Sequence, residues 1–376
     1  MSGQEEGLKV PLADLRAQYL ELKADIDAAV AEVLASGAFI DGEKVNQLER
    51  DIAALCGARY GIGVASGTDA LVLSLVACGI GPGDEVITTP FTFGATTEAI
   101  ALVGATPVYV DIDICTFNLD SSLIEQAITP RTKAILPVDL FGQMCDRAAL
   151  TDICHRHNLR LISDAAQAIG TSQNGQRVAV SSDATTLSFY PTKNLGACGD
   201  AGMVLTNDAE IAERVRSLHG HGQRSYGYHE RIGYCSRLDT IQAVILSVKL
   251  PHLTDWNEAR RRNAIRYNAL LSDLRGTELV LPGCEKGNCH IYHQYTIRHA
   301  RRDELQAYLK EHEVDTKVFY PLPMHLQPAY AYLNYNEGDF PIAERIAKEV
   351  LSIPIVPELS DEQIAYVAGL IRNFSA

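Results

Sequence analysis

The sequence lacks the features that mark membrane-spanning, nucleic-acid-binding and disulfide-bonded proteins. No apolar run approaches the roughly 20 residues that a membrane-spanning helix needs, so we expect no membrane partner. Basic residues are fewer than acidic ones, 33 against 47, and the net charge of −14 argues against nucleic acid as a partner. The nine cysteines form no Cys-x-x-Cys pair, and several stand among apolar residues, which indicates free thiols in a reducing compartment.

The sequence also has no clear cluster of metal ligands and nothing like a secretion signal. Cys154, His155 and His157 have no second ligand pair nearby, so we expect no metal site. The first seven residues are acidic and polar, unlike a signal peptide, and together with the free thiols they predict a cytoplasmic protein. A length of 376 residues suits one large domain and one smaller domain.

Short β-rich runs alternate with helical patterns over the first two thirds of the chain. Such alternation is typical of an α/β fold, in which helices cover both faces of a mostly parallel sheet. Helices are predicted over 12–35 and 43–56, where apolar residues recur at steps of three and four. The predicted strands lie near 60–65, 85–89, 106–111, 133–138, 159–163, 184–188 and 201–206.

The pattern changes after about residue 240, so we predict a large domain over 1–245 and a small α+β domain over 246–376. The helical stretch 238–274 contains Pro251, which should kink it or divide it. The later elements are predicted as strands at 293–298 and 315–319 and as helices at 302–312, 340–350 and 360–373.

The run from Ser188 to Gly202 places one lysine, Lys193, between a hydroxyl and a glycine-rich turn. Asp164 follows the strand predicted at 159–163 and so stands at a strand's C-terminal end, where open α/β sheets bind ligands. A lysine that can form a Schiff base and a carboxylate that can keep a ring nitrogen protonated are what pyridoxal phosphate requires. A lone lysine beside glycines is usually a solvated surface residue, so the prediction for Lys193 depends on the neighbouring residues.

A second candidate site follows the first predicted strand. Ser66, Gly67, Thr68 and Asp69 stand between that strand and an apolar helix, so small residues and a helix N-terminus offer an anion site. A plain N-cap explains the same pattern equally well. The turn lacks Gly-x-Gly-x-x-Gly and Gly-Lys-Ser/Thr, which disfavours dinucleotide and P-loop sites.

Several motifs follow one another along nearly the whole chain. They are Ser66-Gly-Thr-Asp-Ala-Leu, Glu85-Val-Ile-Thr-Thr-Pro90, Phe91-Thr-Phe-Gly-Ala-Thr, Asp164-Ala-Ala-Gln, Ser188-Phe-Tyr-Pro-Thr-Lys, Gly199-Asp-Ala-Gly, Ser236-Arg-Leu-Asp-Thr-Ile-Gln and His325-Leu-Gln. In this order they resemble the sugar aminotransferases of the DegT/DnrJ/StrS type. The resemblance implies the α/β fold of the fold-type I pyridoxal phosphate enzymes, with a large αβα domain and a smaller C-terminal domain.

The resemblance implies cofactor-binding roles for residues at matching positions. Lys193 would carry the cofactor as a Schiff base, and Asp164 would pair with the pyridine nitrogen. Phe93 and Ala166 would contact the two faces of the ring, although Phe93 could instead pack in the core. Gln167 would bond the phenolic oxygen. The phosphate would be held by Gly67, Thr68 and Ser188.

The resemblance also implies the reaction and the assembly. L-glutamate would give its amino group to the cofactor and a nucleotide-linked keto sugar would take it, with Lys193 moving the proton. The protein would be a homodimer with active sites at the subunit interface. Many family members use an asparagine before Ser-Arg to reach the partner's cofactor phosphate. Cys235 stands there instead, and because a thiol is a poor donor, Arg237 would supply more of this contact.

Two segments bear on the sugar. Asp139-Leu-Phe-Gly-Gln143 and Tyr320-Pro-Leu-Pro-Met-His325-Leu-Gln327 resemble members that act at C3 of a UDP- or dTDP-linked keto sugar. Tyr320 and His325 are therefore candidates for substrate binding, with a structural loop histidine as the alternative for His325. The same chemistry at C4, and a sensor or binding protein that keeps the fold, are the competing functions. The loop 220–233 either covers the active site or is a plain surface loop.

Overall fold

The computed structural model describes residues 8–274 and 278–375 of the chain. The first seven residues, from which the sequence predicts the lack of a signal peptide, lie outside this part. Among the helices that are described, none combines the length and the apolar character that crossing a membrane requires.

A seven-stranded sheet forms the centre of the fold and confirms the predicted α/β class. Its strands are β1 (Tyr60–Val64), β2 (Glu85–Thr88), β3 (Thr106–Tyr109), β4 (Thr132–Ile135), β5 (Arg160–Asp164), β6 (Ala184–Ser188) and β7 (Gly202–Thr206). Their order across the sheet is β1-β7-β6-β5-β4-β2-β3. Neighbours run parallel except at β7, which is antiparallel to both β1 and β6. The parallel strands therefore end at one common edge, and the candidate site residues lie there.

Helices cover both faces of this sheet, as the alternating pattern predicts. They are α3 (Glu43–Cys56), α4 (Gly67–Ala77), α5 (Gly94–Leu102), α6 (Arg147–His157), α7 (Ala209–His219) and α8 (Thr240–Lys249). Two earlier helices, α1 (Leu15–Glu21) and α2 (Lys23–Ser36), precede them, and α2 packs on α8 and not on the sheet. Side chains of β7 alternate between the faces: Val204 packs with α4, α5 and α7, whereas Met203 and Leu205 pack with α3 and α8. The helix predicted over 12–35 breaks at Leu22, whose ψ of 11° is not helical.

The C-terminal part is built on a three-stranded antiparallel sheet. Pro251 lies in a short 3₁₀ turn that divides the predicted helix 238–274 into α8 and α9, as expected. The elements that follow α8 are α9 (Leu253–Leu270), β8 (Leu279–Val280), β9 (Tyr295–His299), α10 (Arg302–Glu311), α11 (Pro341–Glu349), β10 (Val350–Ile353) and α12 (Asp361–Ser375). A separate hydrophobic cluster joins α9, β9, β10 and α12. The division of the chain at residue 245 stays a prediction.

One secondary-structure prediction for this part, the strand at 315–319, is wrong. Residues 315–319 pair with β10 only through Lys317 and Ser352, whose two hydrogen bonds measure 2.8 and 3.1 Å. The chain then leaves the sheet because Tyr320 packs against Phe91 and Phe93 instead. The helix predicted near 340–350 is confirmed as α11, and β10, which follows it directly, is a strand that the sequence analysis does not predict; its four residues are all buried.

Candidate active site

Asp164 ends β5 at the common edge of the sheet and is buried. Its carboxylate accepts hydrogen bonds from the Thr96 hydroxyl at 2.8 Å and from the Ala166 amide at 3.2 Å. The Thr96 hydroxyl lies 2.9 Å from that of Thr92, so a pair of threonines at the start of α5 supports the carboxylate. Burial raises the pKa of Asp164, whereas its two hydrogen bonds and the charge of Lys193 act in the opposite direction.

Lys193 lies in the turn between β6 and β7. Its amide donates to the Tyr190 carbonyl at 2.8 Å. Gly196 completes the turn, and a Cβ there would lie 2.2 Å from the Pro191 carbonyl oxygen, so a side chain cannot be accommodated. Removal from water lowers the pKa of the Lys193 amine to about 8, against the opposing charge of Asp164. The amine is therefore neutral in part near pH 8, as a nucleophile or general base must be.

Ser66, Gly67 and Thr68 join β1 to α4, and the Ser66 hydroxyl accepts from the Asp69 amide at 3.0 Å. The N-cap that the sequence allows is therefore present, and the first-turn amides of Gly67 and Thr68 have no intrahelical acceptor. Gly67 lies against Ser188 at the end of β6, since a Cβ on Gly67 would be 2.7 Å from that of Ser188. The first turn of α4 and the Ser188 hydroxyl thus form a small cradle of donors, which we call the anion cradle.

Gln167 connects two parts of the site through its buried side-chain amide. Its Oε1 accepts from the Phe141 amide at 2.8 Å, and its Nε2 donates to the Tyr320 hydroxyl at 3.1 Å. The Tyr320 ring centroid lies 6.3 Å from that of Phe93, whose side chain is 62% exposed. Core packing of Phe93 is therefore excluded, and its ring is available to a ligand. Ala166 is partly exposed beside Asp164.

Arg237 precedes α8 and carries hydrogen-bond donors that the protein does not use. Its Nη2 lies 3.4 Å from the Cys235 sulfur, and its buried Nε has no hydrogen-bond partner among the described residues. Ser236 donates to the Asp69 carboxylate at 2.8 Å and so holds this loop against the first turn of α4. Cys235 is exposed. The loop thus brings a guanidinium with free donors to the outer side of that turn.

His325 is buried in a short 3₁₀ turn. Its Nε2 lies 3.0 Å from Oε1 of Glu344, and its ring meets Phe340 edge-on. Its Nδ1 is without a partner in the part of the chain that is described. The Met324 amide donates to the Pro90 carbonyl at 2.7 Å, which holds the turn against the site. These contacts agree with a structural histidine, and a substrate-binding role stays a prediction.

Three side chains at the site are not indicated by the sequence pattern. Thr96 belongs to a motif noted for Phe93, but its bond to Asp164 becomes visible only when α5 is placed opposite β5. Asn194 and His293 contact each other at 3.0 Å although 99 residues separate them along the chain. No local signal predicts a contact over such a distance.

The residues at this edge fit pyridoxal phosphate. A lysine amine of lowered pKa suits the aldehyde, and the buried carboxylate of Asp164 suits the ring nitrogen. The exposed ring of Phe93 suits a ring face, and the anion cradle suits the phosphate, while the unused donors of Arg237 suit the phosphate of a partner subunit. Together with the surrounding α/β fold, the site defines a pyridoxal phosphate-dependent enzyme of fold type I.

Comparison with known proteins gives the family. The DegT/DnrJ/EryC1/StrS aminotransferase family matches residues 20–372, and the chain belongs to this family of sugar aminotransferases. The sequence is 53% identical to the pleiotropic regulatory protein of Geobacillus stearothermophilus, over 98% of this chain and 99% of that one. It is 45% identical to the UDP-N-acetyl-3-dehydro-alpha-D-glucosamine 3-aminotransferase of Acidithiobacillus ferrooxidans, with 97% of each chain covered.

A solved structure agrees with this assignment. The crystal structure of S. venezuelae DesV in complex with a ketimine intermediate matches with a TM-score of 0.95 and 44% identity, and 98% of each chain is covered. The resemblance that the sequence motifs indicate is therefore confirmed, and so are the fold class and the pyridoxal phosphate cofactor.

Replacing Gly67 by alanine tests the anion cradle. The added methyl group would overlap Ser188, so we expect the free energy of unfolding to fall by about 1–3 kcal/mol and the affinity for pyridoxal phosphate to fall about tenfold. Gly94 also begins a helix, and a Cβ there meets nothing within 4 Å, so Gly94→Ala is the matched control. Chemical denaturation and equilibrium dialysis measure the two effects. Equal behaviour of the two variants would contradict the prediction.

Proposed function

We propose that the protein moves an amino group from L-glutamate to C3 of a UDP- or dTDP-linked 3-keto sugar. The observation that carries the proposal is the 45% identity to a relative named as a 3-aminotransferase of a UDP-linked 3-dehydro sugar. The two segments that resemble C3-acting members also meet at the site. The Phe141 amide and the Tyr320 hydroxyl bond the two ends of the Gln167 side-chain amide, which supports a shared role.

The proposed roles follow the site's geometry. Pyridoxal phosphate, when bound, supplies an aldehyde that takes up the amino group and a ring that accepts electrons from the donor's α-carbon. Lys193, as a neutral amine, removes a proton from the α-carbon and later returns one. Asp164, held by Thr96, accepts a hydrogen bond from the ring nitrogen. The remaining proposed cofactor-binding residues are Gly67, Thr68, Ser188 and Arg237 for the phosphate, Phe93 and Ala166 for the ring faces and Gln167 for the phenolic oxygen.

Tyr320 and His325 are the residues that we propose for binding the sugar. Tyr320 contacts both Gln167 and Phe93, which would hold the cofactor, so its hydroxyl would be within reach of a sugar bound there. Burial raises the pKa of Tyr320, and the phenol therefore stays protonated and can donate to a sugar oxygen. His325 would act through its Nδ1, which is free of partners within the described residues.

We further propose a homodimer whose active sites lie at the subunit interface. The loop of Arg237 pairs with the segment after α2: the Thr240 amide donates to the Phe39 carbonyl at 2.9 Å. Phe39 and Ile40 expose their side chains beside this loop, and Ile40 forms a β-bridge with Asp239. An exposed apolar patch is a suitable contact surface for a second subunit. The unused donors of Arg237 beside it could bind the cofactor phosphate of that subunit.

We place the protein in the cytoplasm. All nine cysteines, which lie within the described residues, are free. Burial raises the pKa of the Cys56 and Cys78 thiols to about 12, so these side chains act as small apolar residues. Free thiols of this kind are typical of a reducing compartment.

The site of amination can be tested with the pyridoxamine phosphate form of the enzyme. A 3-keto and a 4-keto nucleotide sugar are added to it in separate reactions. We expect the 3-keto sugar to be aminated at least about 100-fold faster, because a pocket that binds the sugar's hydroxyls rejects a displaced carbonyl. The half-reaction with L-glutamate should release one 2-oxoglutarate per active site. Turnover of the 4-keto sugar alone would establish the C4 alternative, and turnover with another amino donor alone would remove glutamate from the proposal.

A further inference from the structure

His293 is a buried histidine beside the lysine turn, and none of the roles described above involves it. Only 6% of its surface is exposed, and it stands in the segment that leads into β9. Its Nδ1 lies 3.0 Å from Oδ1 of Asn194, the residue that follows Lys193. The ring therefore contacts the side chain of the residue next to the lysine.

The position of the ring proton follows from a chain of amide hydrogen bonds. The Ile169 carbonyl at its end can only accept, so Nδ2 of Asn257, 3.2 Å away, donates to it. Oδ1 of Asn257 consequently accepts from Nδ2 of Asn194 at 2.7 Å. Asn194 is left with Oδ1 facing His293, and only an N–H group can satisfy that oxygen. His293 therefore carries a proton on Nδ1.

The surroundings keep this histidine uncharged. Burial lowers the pKa of His293 far below its ordinary value, and the positive charges of Lys193 and Arg260 act in the same direction. Arg260 approaches from α9, where its Nη1 lies 3.3 Å from the Tyr292 carbonyl oxygen and 3.4 Å from that of His293. The charged groups that act on the ring, from the lysine turn and from α9, are thus both cationic. The neutral ring has its proton on Nδ1 and its lone pair on Nε2.

We propose that His293 is a positioning residue for Lys193. Its fixed Nδ1–H holds Asn194, and through Asn257 the same chain of bonds joins the lysine turn to α9 and to Ile169, shortly after Asp164. Because the ring is neutral, it does this without a second positive charge beside the lysine amine. The inference rests on the proposed role of Lys193 as the residue to which the cofactor attaches.

Uptake of pyridoxal phosphate by the apo-enzyme, followed by visible absorption, measures how well the lysine amine is placed. His293→Phe keeps a ring of similar size and removes the donor, and we expect uptake to slow about tenfold. His293→Asn supplies an amide donor near the position of Nδ1 and should restore the rate to within about twofold of the wild type.

The pH dependence of uptake tests the uncharged state. The rate should rise as the Lys193 amine loses its proton, with a midpoint near a pKa of about 8. His293→Phe should leave this midpoint in place, because it replaces one neutral ring by another. Loss of a charged histidine would instead remove a repelling cation and move the midpoint to higher pH. Such a shift would overturn the proposal.

Two further outcomes would also overturn it: wild-type uptake by His293→Phe, or equal slowing in His293→Phe and His293→Asn. If His293→Phe does not fold, as judged by thermal unfolding, Asn194→Ala gives the same test from the other side of the bond. An unchanged uptake rate in Asn194→Ala would then overturn the proposal. A wild-type protein that takes up no cofactor would instead refute the role of Lys193, and inactivity toward 3-keto sugars would concern the proposed substrate alone.

Discussion

Replacement of Lys193 by alanine is expected to lower kcat/KM by about 10⁴-fold and to abolish the visible absorption of the lysine-bound cofactor. The reason is that one side chain has two tasks. In the function that we propose, its amine, whose pKa is lowered to about 8, both attaches the cofactor and moves the proton at the reacting carbon. Steady-state kinetics with L-glutamate and absorption spectra of the purified protein measure the two losses.

The control for this prediction is another lysine of the same chain. Lys348 lies on the outer face of α11 and pairs loosely with Glu337 at 3.5 Å, so Lys348→Ala should change neither activity nor spectrum. An external amine of small size should restore part of the activity of Lys193→Ala, because it can take over the proton transfer. Retention of the visible band in Lys193→Ala would show that another residue attaches the cofactor.

Asp164→Asn is expected to lower kcat by about 10³-fold, because the amide has nearly the shape of the carboxylate but no charge to keep the ring nitrogen protonated. The stability of the folded apo-protein should not fall with the activity in this variant. Burial raises the pKa of Asp164 above its unfolded value, so the folded state binds the proton more tightly and stability declines as pH rises through the folded pKa. An uncharged amide lacks this decline, and apo Asp164→Asn should be at least as stable as the wild type near neutral pH.

Asp183 provides the comparison for Asp164. It stands just before β6, at the opposite edge of the sheet, where its carboxylate accepts from the Leu161 amide at 2.8 Å and from Arg160. Asp183→Asn should therefore reduce the thermal stability and leave kcat within about twofold of the wild type. If thermal unfolding shows that Asp164→Asn is strongly destabilised, or if its kcat is unchanged, the carboxylate does not have the role that we propose.

Local patterns predict much of this fold. All seven strands of the central sheet appear near their predicted positions because each is a short apolar run bounded by turn residues. The antiparallel direction of β7 is not visible in its sequence, since Met203, Val204 and Leu205 are apolar in either direction. The strand predicted at 315–319 is absent because of contacts with residues distant in the sequence. The pattern of residues 315–319 suits a strand, but the ring contacts of Tyr320 with Phe91 and Phe93 draw the chain away.

The site shows the same limit. Lys193 and Asp164 are predictable because a strand end and a glycine-rich turn mark them in the sequence. The positions of Thr96 and His293 depend on how distant elements pack, and no nearby residue signals them. Phe93 lies between these cases, because the sequence allows both an exposed ring and a core ring, and only its 62% exposure decides between them.

The antiparallel course of β7 has a consequence for where the lysine can go. β6 ends, and β7 begins, at the same edge of the sheet, where Ser188 pairs with Gly202. The loop that carries Lys193 therefore leaves the sheet and returns to it at the same place, because the paired residues Ser188 and Gly202 fix its two ends. If β7 were parallel to β6, the chain would have to cross to the opposite edge of the sheet before β7 began. Lys193 would then lie in a long crossover connection. With its ends fixed in this way, the loop would keep the Lys193 backbone in place during the cofactor attachment and proton transfer that we propose for its amine.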